Sequence, residues 1–533
     1  MEHGSVALIT CMAGAINLKP SERAGAVVDG PPARLSAASH PPSPVTILTA
    51  GLISLAGIGV TVVWPKTAWA VLTGFLWFVF LVAVAFKAVA CRQVPAPGMP
   101  LAGRAQDLPH YTLIVALRDE AAVVSQLIKR LSRIDYPRDR LRGYLVVEAD
   151  DPATLEAIRK ARRPTWLQPI IAPPGMPRTK PRALNVALAL AEPGLLTVYD
   201  AEDDPDPGQL REAAECFARA PADLACLQAP LRIDTRNHPE AWLGRQFALE
   251  YAAQFDVMLP ALTRLGLPFP LGGTSNHFRV DALKEVGGWD PWNVTEDADL
   301  GFRLARFGYR EGLLTRPTWE SPPPDLKSWI PQRTRWLKGY LQALSVQLRR
   351  PWELGWVGVS ALLLTLGTAI AAAVAQGVVL AWMTASLLLH GFNGTVPLVA
   401  VGDAGLICGG WLVAALALKV GSRRAGVECR LGDLLTVPAY WSLNSIAAVQ
   451  ALWRLVREPY HWDKTDHVPD RDVVQRLPRT LRIRDSLPTL PVSPIRASGP
   501  WKISISKRTP TSAPASSSAT EPKTSRVCER PDA

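Results

Sequence analysis

Leu195–Asp206 reads LLTVYDAEDDPD, an apolar run followed at once by five carboxylates in seven residues: Asp200, Glu202, Asp203, Asp204 and Asp206. The apolar half has the composition of a buried strand. Two similar runs precede it, TLIVAL at Thr112–Leu117 and GYLVVEAD at Gly143–Asp150. Amphipathic stretches at Ala121–Ile134 and Ala183–Ala191 alternate with them. This βαβαβ rhythm predicts an α/β domain with a mostly parallel sheet covered by helices on both faces. In such sheets ligands bind beyond the carboxyl ends of the strands. Those ends carry Asp119 and Glu120, then Asp150 and Asp151, then Asp200.

Carboxylates as dense as those of Asp200–Asp206 repel one another unless something neutralises them. Mg²⁺ or Mn²⁺ is suited to oxygen ligands of this kind and can bridge a diphosphate. The other reading is a helix entrance: Pro205 and Pro207 suit the first turn of a helix over Gly208–Arg219, and acids complement its dipole. A cap needs one or two acids rather than five.

Three further stretches carry polar residues in suggestive order. TEDADLGFRLARFG (Thr295–Gly308) reads fully as a helix, with Thr295 at the N-cap, Glu296 and Asp297 in the first turn and Gly308 just past the end. The loops before it, LGGTSNHF (Leu271–Phe278) and GGWDPWN (Gly287–Asn293), combine paired glycines, amides and aromatics, as ligand-lining loops do. A carboxylate beside them can act as a general base towards a hydroxyl. PQRTRWLKGYLQ (Pro331–Gln342) has apolar residues at helical spacing with Arg333, Arg335 and Lys338 between them. It reads as a membrane-interface helix with snorkelling cations, or as a helix placing Arg335 on a phosphate and Trp336 under a sugar ring. PGMPRTKPRALN (Pro174–Asn185) sets Arg178, Lys180 and Arg182 before a helical run, which suits phosphate or plain solvent. The eight histidines, His277 among them, lack metal-ligand spacing.

Farther out the chain becomes apolar. Val45–Trp64 has no charge, and Thr67–Ala90 has only Lys87. Each is long enough to cross a membrane, and together they predict a transmembrane hairpin over residues 45–91. Arg92 and Arg104 follow it and favour a cytosolic exit. A domain over 105–350 comes next, then apolar runs at Gly355–His390 and Pro397–Val420 within a membrane region over 355–456. The first of these runs is too long for one straight span. Leu434–Val456, with Pro438, Tyr440, Trp441 and Asn444, suits an interfacial helix better than a span. Residues 1–44 and 470–533 read as disordered. The 533-residue chain has a net charge of +11, with its basic residues gathered at membrane flanks rather than on one helix face, so no nucleic-acid partner is expected. Seven cysteines without a CxxC pair do not suit a disulfide framework or a zinc ribbon.

Taken in order, the acidic pair after the second strand, DAED, TED and QxxRW (Gln332, Arg335, Trp336) resemble glycosyltransferase family 2, in its membrane-embedded, cellulose-synthase-like branch. The resemblance runs from Tyr111 to Gln342, with an echo at HWDKTDH (His461–His467). It implies a GT-A-type nucleotide-sugar-binding domain inserted between transmembrane helices at the inner membrane, with its catalytic face in the cytosol. It implies that Asp150 and Asp151 bind the uridine of the donor, and that Asp200 and Glu202 hold a divalent cation and the diphosphate. Glu120 and Lys180 join the donor set. Asp297, with Glu296 beside it, is the implied base on the acceptor hydroxyl. Gln332, Arg335 and Trp336 are the implied diphosphate and acceptor-end signature. The implied reaction is inverting transfer from a nucleotide-sugar donor, UDP-linked, to a growing polysaccharide, with export partner proteins and membrane lipids as neighbours. Single transfer to a lipid or short glycan is the alternative. A non-catalytic membrane scaffold for envelope assembly is the reading from another class, and the retained acids and QxxRW stand against it. Glu202 takes the second acid position of the DxD, and no FxVTxK segment follows the QxxRW helix.

Overall fold

The computed structural model describes residues 30–38, 56–94 except 58, 107–391 and 398–462. Most of the first expected span, the tail from 463 onward and all of HWDKTDH beyond His461 and Trp462 lie outside the described residues. Disorder expected over 1–44 does not extend to 30–38. There a short 3₁₀ turn at Ala33–Leu35 buries Leu35, and the Ser36 hydroxyl donates to Asp290.

Helix α1 (Pro65–Arg92) begins on a proline, which suits a first helical position. The α/β domain then opens with β1 (Tyr111–Leu117), α2 (Val124–Leu131), β2 (Leu141–Glu148), α3 (Pro152–Lys160), β3 (Leu167–Ala172), α4 (Lys180–Ala189) and β4 (Leu195–Tyr199). These four strands are parallel, with Tyr111 level with both Leu141 and Leu195. Their carboxyl ends therefore reach the same edge of the sheet. The chain continues through β5 (Asp204–Pro205), α5 (Gln209–Arg219), β6 (Leu224–Gln228), β7 (Leu231–Ile233) and α6 (Trp242–Ala253). A π turn at Gln254–Met258 joins α6 to α7 (Leu259–Arg264). Then come β8 (Asn276–Arg279), α8 (Val280–Glu285), α9 (Glu296–Arg306), β9 (Arg310–Leu313), β10 (Thr318–Glu320) and α10 (Leu326–Gln347).

The main sheet has the order β3-β2-β1-β4-β8-β6-β9, and β8 is antiparallel to both its neighbours. A second sheet, β5-β10-β7, lies beyond the end of β4. Alternate residues of β1 feed two cores. Leu113 and Val115 pack with Leu127 of α2 and Leu210 and Phe217 of α5. Ile114 packs with Leu184 and Leu188 of α4 and Phe278 of β8. Because both faces are covered, β1 reads as an almost unbroken apolar run. This is the mostly parallel α/β architecture that the sequence predicts.

The chain ends in α11 (Pro351–Leu362), α12 (Thr368–Gly391), α13 (Leu398–Ala425), α14 (Leu431–Leu435) and α15 (Val437–Arg457). Among the described residues three helices are long and apolar enough to cross a membrane: Pro65–Arg92, Pro351–Ala381 and Ala404–Ala425. The long run from Gly355 is interrupted twice, by Gly355 itself at φ +69° and by a π turn at Leu363–Gly367. Helix α15 is not one of the three; it packs along α10 and α12.

Candidate active site

At the end of β1 the backbone turns sharply, and Asp119 takes φ +53°. Asp151 holds that turn. Its carboxylate accepts the Asp119 N–H at 2.6 Å and caps α3 through the Thr154 N–H at 3.0 Å. The Glu120 N–H in turn meets the Thr154 hydroxyl at 2.9 Å. Asp150 pairs with Arg178 and stands 3.8 Å from Arg118. Asp150 and Asp151 therefore stand back from the cavity described below, while Arg118, Asp119, Glu120 and Arg178 line it.

The acidic run after β4 divides in two. Asp204 pairs with Arg133, and Asp206 pairs with Arg316 at 2.9 Å while accepting the Gly208 N–H at the entrance of α5. That half is the helix-entrance reading. Asp200 and Glu202 face the cavity instead. Asp203 is fully buried beneath them, where it accepts the Asp200 N–H at 2.7 Å and the Thr274 hydroxyl. Glu320, from β10, approaches the same group, and one of its oxygens is buried without a hydrogen bond. Burial, and then the neighbouring carboxylates, push Asp203 and Glu320 well above the usual carboxylate range.

A cation from α4 reaches this cluster. Lys180, at the start of α4, pairs with Asp200 and donates to the Gly273 carbonyl at 2.7 Å. Burial works against its charge, but Asp200, Glu296 and Asp297 outweigh burial and hold its ammonium above the ordinary lysine value. Gly273 also adjoins Asp297: a Cβ there would lie 3.5 Å from Asp297 Oδ2, an ordinary contact distance. Among the described residues no group of three or more His, Cys, Asp or Glu is placed to hold a metal alone. Two cavity-facing carboxylates over a repelling acidic cluster do fit a hard cation that takes its other ligands from phosphate and water.

Glu296 and Asp297 open α9. Thr295 precedes them at the N-cap position, yet its hydroxyl makes no cap bond. The helix closes as expected, with Gly308 at φ +85° and Tyr309 N–H bonded back to the Leu304 carbonyl. Burial, and then the Asp297 charge, push Glu296 up to about 8, against Lys180 and Arg335 pulling it down. Burial also raises Asp297, against the Ala298 N–H, Lys180 and Arg335. Helix α10 crosses close by: a Cβ on Gly339 would collide with the Thr295 side chain. From α10, Gln332, Arg335 and Trp336 line the cavity with Asp297. Gln332 Oε1 and Arg335 Nε are buried there without hydrogen-bond partners among the described residues.

The two cations beside Arg335 do not snorkel. Arg333 is 7% exposed and pairs with Glu250 of α6, with its guanidinium 4.5 Å from the Trp336 ring. Lys338 is fully buried and donates to the carbonyls of Glu458 at 3.0 Å and His461 at 2.8 Å. The amphipathic-interface reading of α10 is thus corrected at these two positions: both charges are spent on partners inside the fold. Lys338 draws the chain after α15 back over the site. Trp462 lies against Arg335 at 4.7 Å, and Tyr460 packs on Trp292 at 4.9 Å. His277 is no ligand candidate. It is enclosed between the Tyr111 hydroxyl at 2.5 Å and Gln209 at 3.0 Å, and burial pushes it down to about 3.

The cavity that these groups line has a volume of about 1580 Å³. It brings together Glu120, Lys180, Asp200, Glu202, Glu296, Asp297, Gln332, Arg335 and Trp336. It also extends past them between the apolar helices. Trp77, Phe80 and Val84 of α1, Ala372 and Val379 of α12, Ile407 and Leu418 of α13 and Trp441 of α15 form its far walls. Glu250, Tyr251, Glu320 and Tyr460 are lining groups that no local sequence pattern marks, while His461 and Trp462, which also line the cavity, open the HWDKTDH stretch.

Residues 195–417 match the family model described as Glycosyl transferase family group 2, which begins at β4 and ends within α13. The chain is similar to a beta-monoglucosyldiacylglycerol synthase of Synechocystis sp., 27% identical over 277 residues, covering 50% of this chain and 56% of that protein. It is also similar to the probable glycosyltransferase YdaM of Bacillus subtilis (strain 168), 24% identical over 250 residues, covering 44% and 56%. The chain thus spans about half the length of the curated relatives it matches. Among solved structures, the mannosyltransferase PcManGT of Pyrobaculum calidifontis, in complex with GDP-Man and Mn²⁺, aligns with TM-score 0.42 and 16% identity, covering 73% of this chain and 97% of that one. The family match over residues 195–417, which takes in Asp200, Asp297 and the Gln332–Trp336 signature, supports a glycosyltransferase of family 2.

Proposed function

We propose that this chain is a membrane-embedded, inverting glycosyltransferase that moves a sugar from a nucleotide-sugar donor, UDP-linked, to a lipid acceptor on the cytosolic side. The observation that carries this reading is the single cavity running from Asp200, Lys180, Asp297 and Arg335 into an apolar space between α1, α12, α13 and α15. A polar end suits a nucleoside diphosphate sugar, and an apolar end suits acyl or prenyl chains.

Asp200 and Glu202 are the residues that would hold a Mg²⁺ or Mn²⁺ ion. Such an ion would supply charge neutralisation to the departing diphosphate. Lys180 keeps Asp200 in place, and Arg335, with an unmet N–H, offers a donor to a phosphate oxygen. Glu120, Arg118 and Arg178 flank the nucleotide end, with Asp150 and Asp151 fixing that wall. Asp297 takes the proton from the acceptor hydroxyl as that oxygen forms its bond to the anomeric carbon and the sugar–phosphate bond breaks. The electron pair leaves on the diphosphate. Attack from the face opposite the leaving group inverts the configuration.

A growing polysaccharide is the second reading. It is favoured by Gln332, Arg335 and Trp336 lining the same cavity, with the Trp336 ring among Phe247 and Tyr251 as an apolar platform for a sugar. The printed name of the Synechocystis relative, a beta-monoglucosyldiacylglycerol synthase, is consistent with the lipid reading.

The test is transfer in inverted membrane vesicles, with labelled UDP-glucose, UDP-N-acetylglucosamine and GDP-mannose offered separately with Mg²⁺ or Mn²⁺, beside Asp297→Asn. Label extracted with lipid and lost in the variant is the expected result. Label in a high-molecular-weight product would favour polysaccharide. No transfer from any donor, together with no metal-dependent nucleotide binding, would overturn the enzyme reading.

A further inference from the structure

Lys87 is the one charged residue between Thr67 and Ala90. It sits near the Arg92 end of α1, and it lines the cavity. Among the described residues its ammonium makes no hydrogen bond and no ion pair. The groups whose fields reach it are Cys91 and Glu250, and the Glu250 carboxylate is already committed. Glu250 Oε1 accepts Arg333 at 2.8 Å, and Oε2 takes Arg333 again and the Tyr440 hydroxyl at 2.8 Å. Lys87 therefore brings an amine without a hydrogen-bond partner among the described residues to a stretch of cavity wall that also holds Ala83 and Val84 of its own helix and Leu418 of α13. An ionisable group at membrane depth is costly unless something pairs with it, and such groups mark ligand paths.

We infer that Lys87 is the recognition site for a phosphate on the head group of the lipid that enters this cavity. The occupant is an anionic, phosphate-bearing lipid rather than a neutral glyceride. The inference rests on the lipid-acceptor reading above and narrows its substrate class. Lysine offers a compact charge with three donors, which suits a phosphate oxygen without demanding a fixed approach. The apolar walls select a chain-bearing anion over a soluble one, because they give a free phosphate ester nothing to bury. A neutral head group would leave the ammonium without a partner.

Binding can be read without any donor sugar. The full-length chain in uncharged maltoside micelles is titrated with dioctanoyl phosphatidylglycerol, dioctanoylglycerol and glycerol phosphate, using isothermal calorimetry. The expected order is the phosphatidyl lipid tightest, with Lys87→Met weakening it by about tenfold or more and Lys87→Arg retaining it. Dioctanoylglycerol binding should be weaker and indifferent to the substitution. Equal binding of the phosphatidyl lipid by wild type and Lys87→Met overturns the inference, as does tighter binding of the neutral glyceride. Glycerol phosphate binding as tightly as the lipid would overturn the lipid source. Nucleotide binding by the same preparations reports whether the variants are folded, and Lys87→Gln serves if Lys87→Met is not. Failure of sugar transfer to every lipid would instead sink the proposed activity while leaving these binding results standing.

Discussion

Ser36 and Asp290, 254 positions apart in sequence, meet through a buried hydrogen bond of 2.8 Å. Asp290 also accepts the backbone N–H groups of Ala37 at 2.5 Å and Trp292 at 3.1 Å. One fully buried carboxylate thus pins the remote segment around Ala33–Leu35 to the loop whose Trp292 lines the cavity. Asp290→Ala leaves these donors without an acceptor. A loss of about 2–3 kcal/mol is expected, read as a lower melting temperature of the detergent-solubilised protein. An unchanged melting temperature would mean that this segment does not dock in solution.

Glu296 and Asp297 are neighbouring acids in one low-dielectric pocket, and their ionisations oppose each other. With Glu296 pushed up from 4.5 to about 8, the folded state holds a proton that the unfolded state has released. Its contribution is full below about pH 4.5, falls as pH rises towards 8, and is level above that. The slope of melting temperature over this window should flatten in Glu296→Gln. Because Glu296 keeps its proton until about pH 8, the same substitution removes no charge over the acidic limb of the rate profile, and that limb should stay in place. A limb that moves to lower pH would mean that Glu296 is charged beside Asp297 there.

Asp200 and Glu202 should bind nucleotide only together with a divalent cation. Asp200→Asn, or chelation of the wild type, is expected to weaken donor binding by about tenfold or more, as a lost charge-assisted contact does. Equilibrium binding of UDP with and without Mn²⁺ measures it. Glu320→Gln, below the same cluster, should leave the cation dependence in place.

Arg303 and Asp299 form a wholly buried pair within α9, 3.1 Å apart. Arg303 also donates to the carbonyls of Val286 and Gly288, and Gln347 of α10 donates to Asp299 at 2.7 Å. Arg303→Met strands the Asp299 charge and should destabilise the chain by about 3–5 kcal/mol. Thermal unfolding followed by tryptophan fluorescence checks this. A loss below about 1 kcal/mol would mean that water reaches the site.

Three central strands were legible because they are buried on both faces, so local composition alone marks Thr112–Leu117, Gly143–Asp150 and Leu195–Asp200, where the strands run over Tyr111–Leu117, Leu141–Glu148 and Leu195–Tyr199. The carboxyl-end rule then put Glu120 and Asp200 on one edge without reference to tertiary structure. Helical spacing likewise revealed a helix at Pro331–Gln342, which runs over Leu326–Gln347, but said nothing of partners. Arg333 looked like a snorkelling cation because Glu250 lies 83 residues earlier, and Lys338 because its carbonyl acceptors lie 120 and 123 residues later. Periodicity reports which face a side chain occupies, not what comes to meet it. Asp151 is a different case. The sequence Asp-Pro-Ala-Thr carries an N-cap signal of its own, and the structure uses Asp151 for that purpose. Which acids of Asp200–Asp206 face the cavity depends on where Arg133, Arg316 and Thr274 arrive, and no local pattern encodes that.

The contact between Gly339 and Thr295 has a consequence for how this site can vary. Gly339 lies one turn beyond Arg335 on α10, and Thr295 stands two residues before Asp297 on α9. The gap between Arg335 and Asp297 is therefore gauged by a hydrogen atom where every other residue has a carbon. Even a methyl group would act as a spacer, prying the two helices apart at their crossing. Drift in the surrounding sequence can retune the pocket walls, but this crossing leaves almost no latitude, and a change there would have to be answered on the facing helix at the same time.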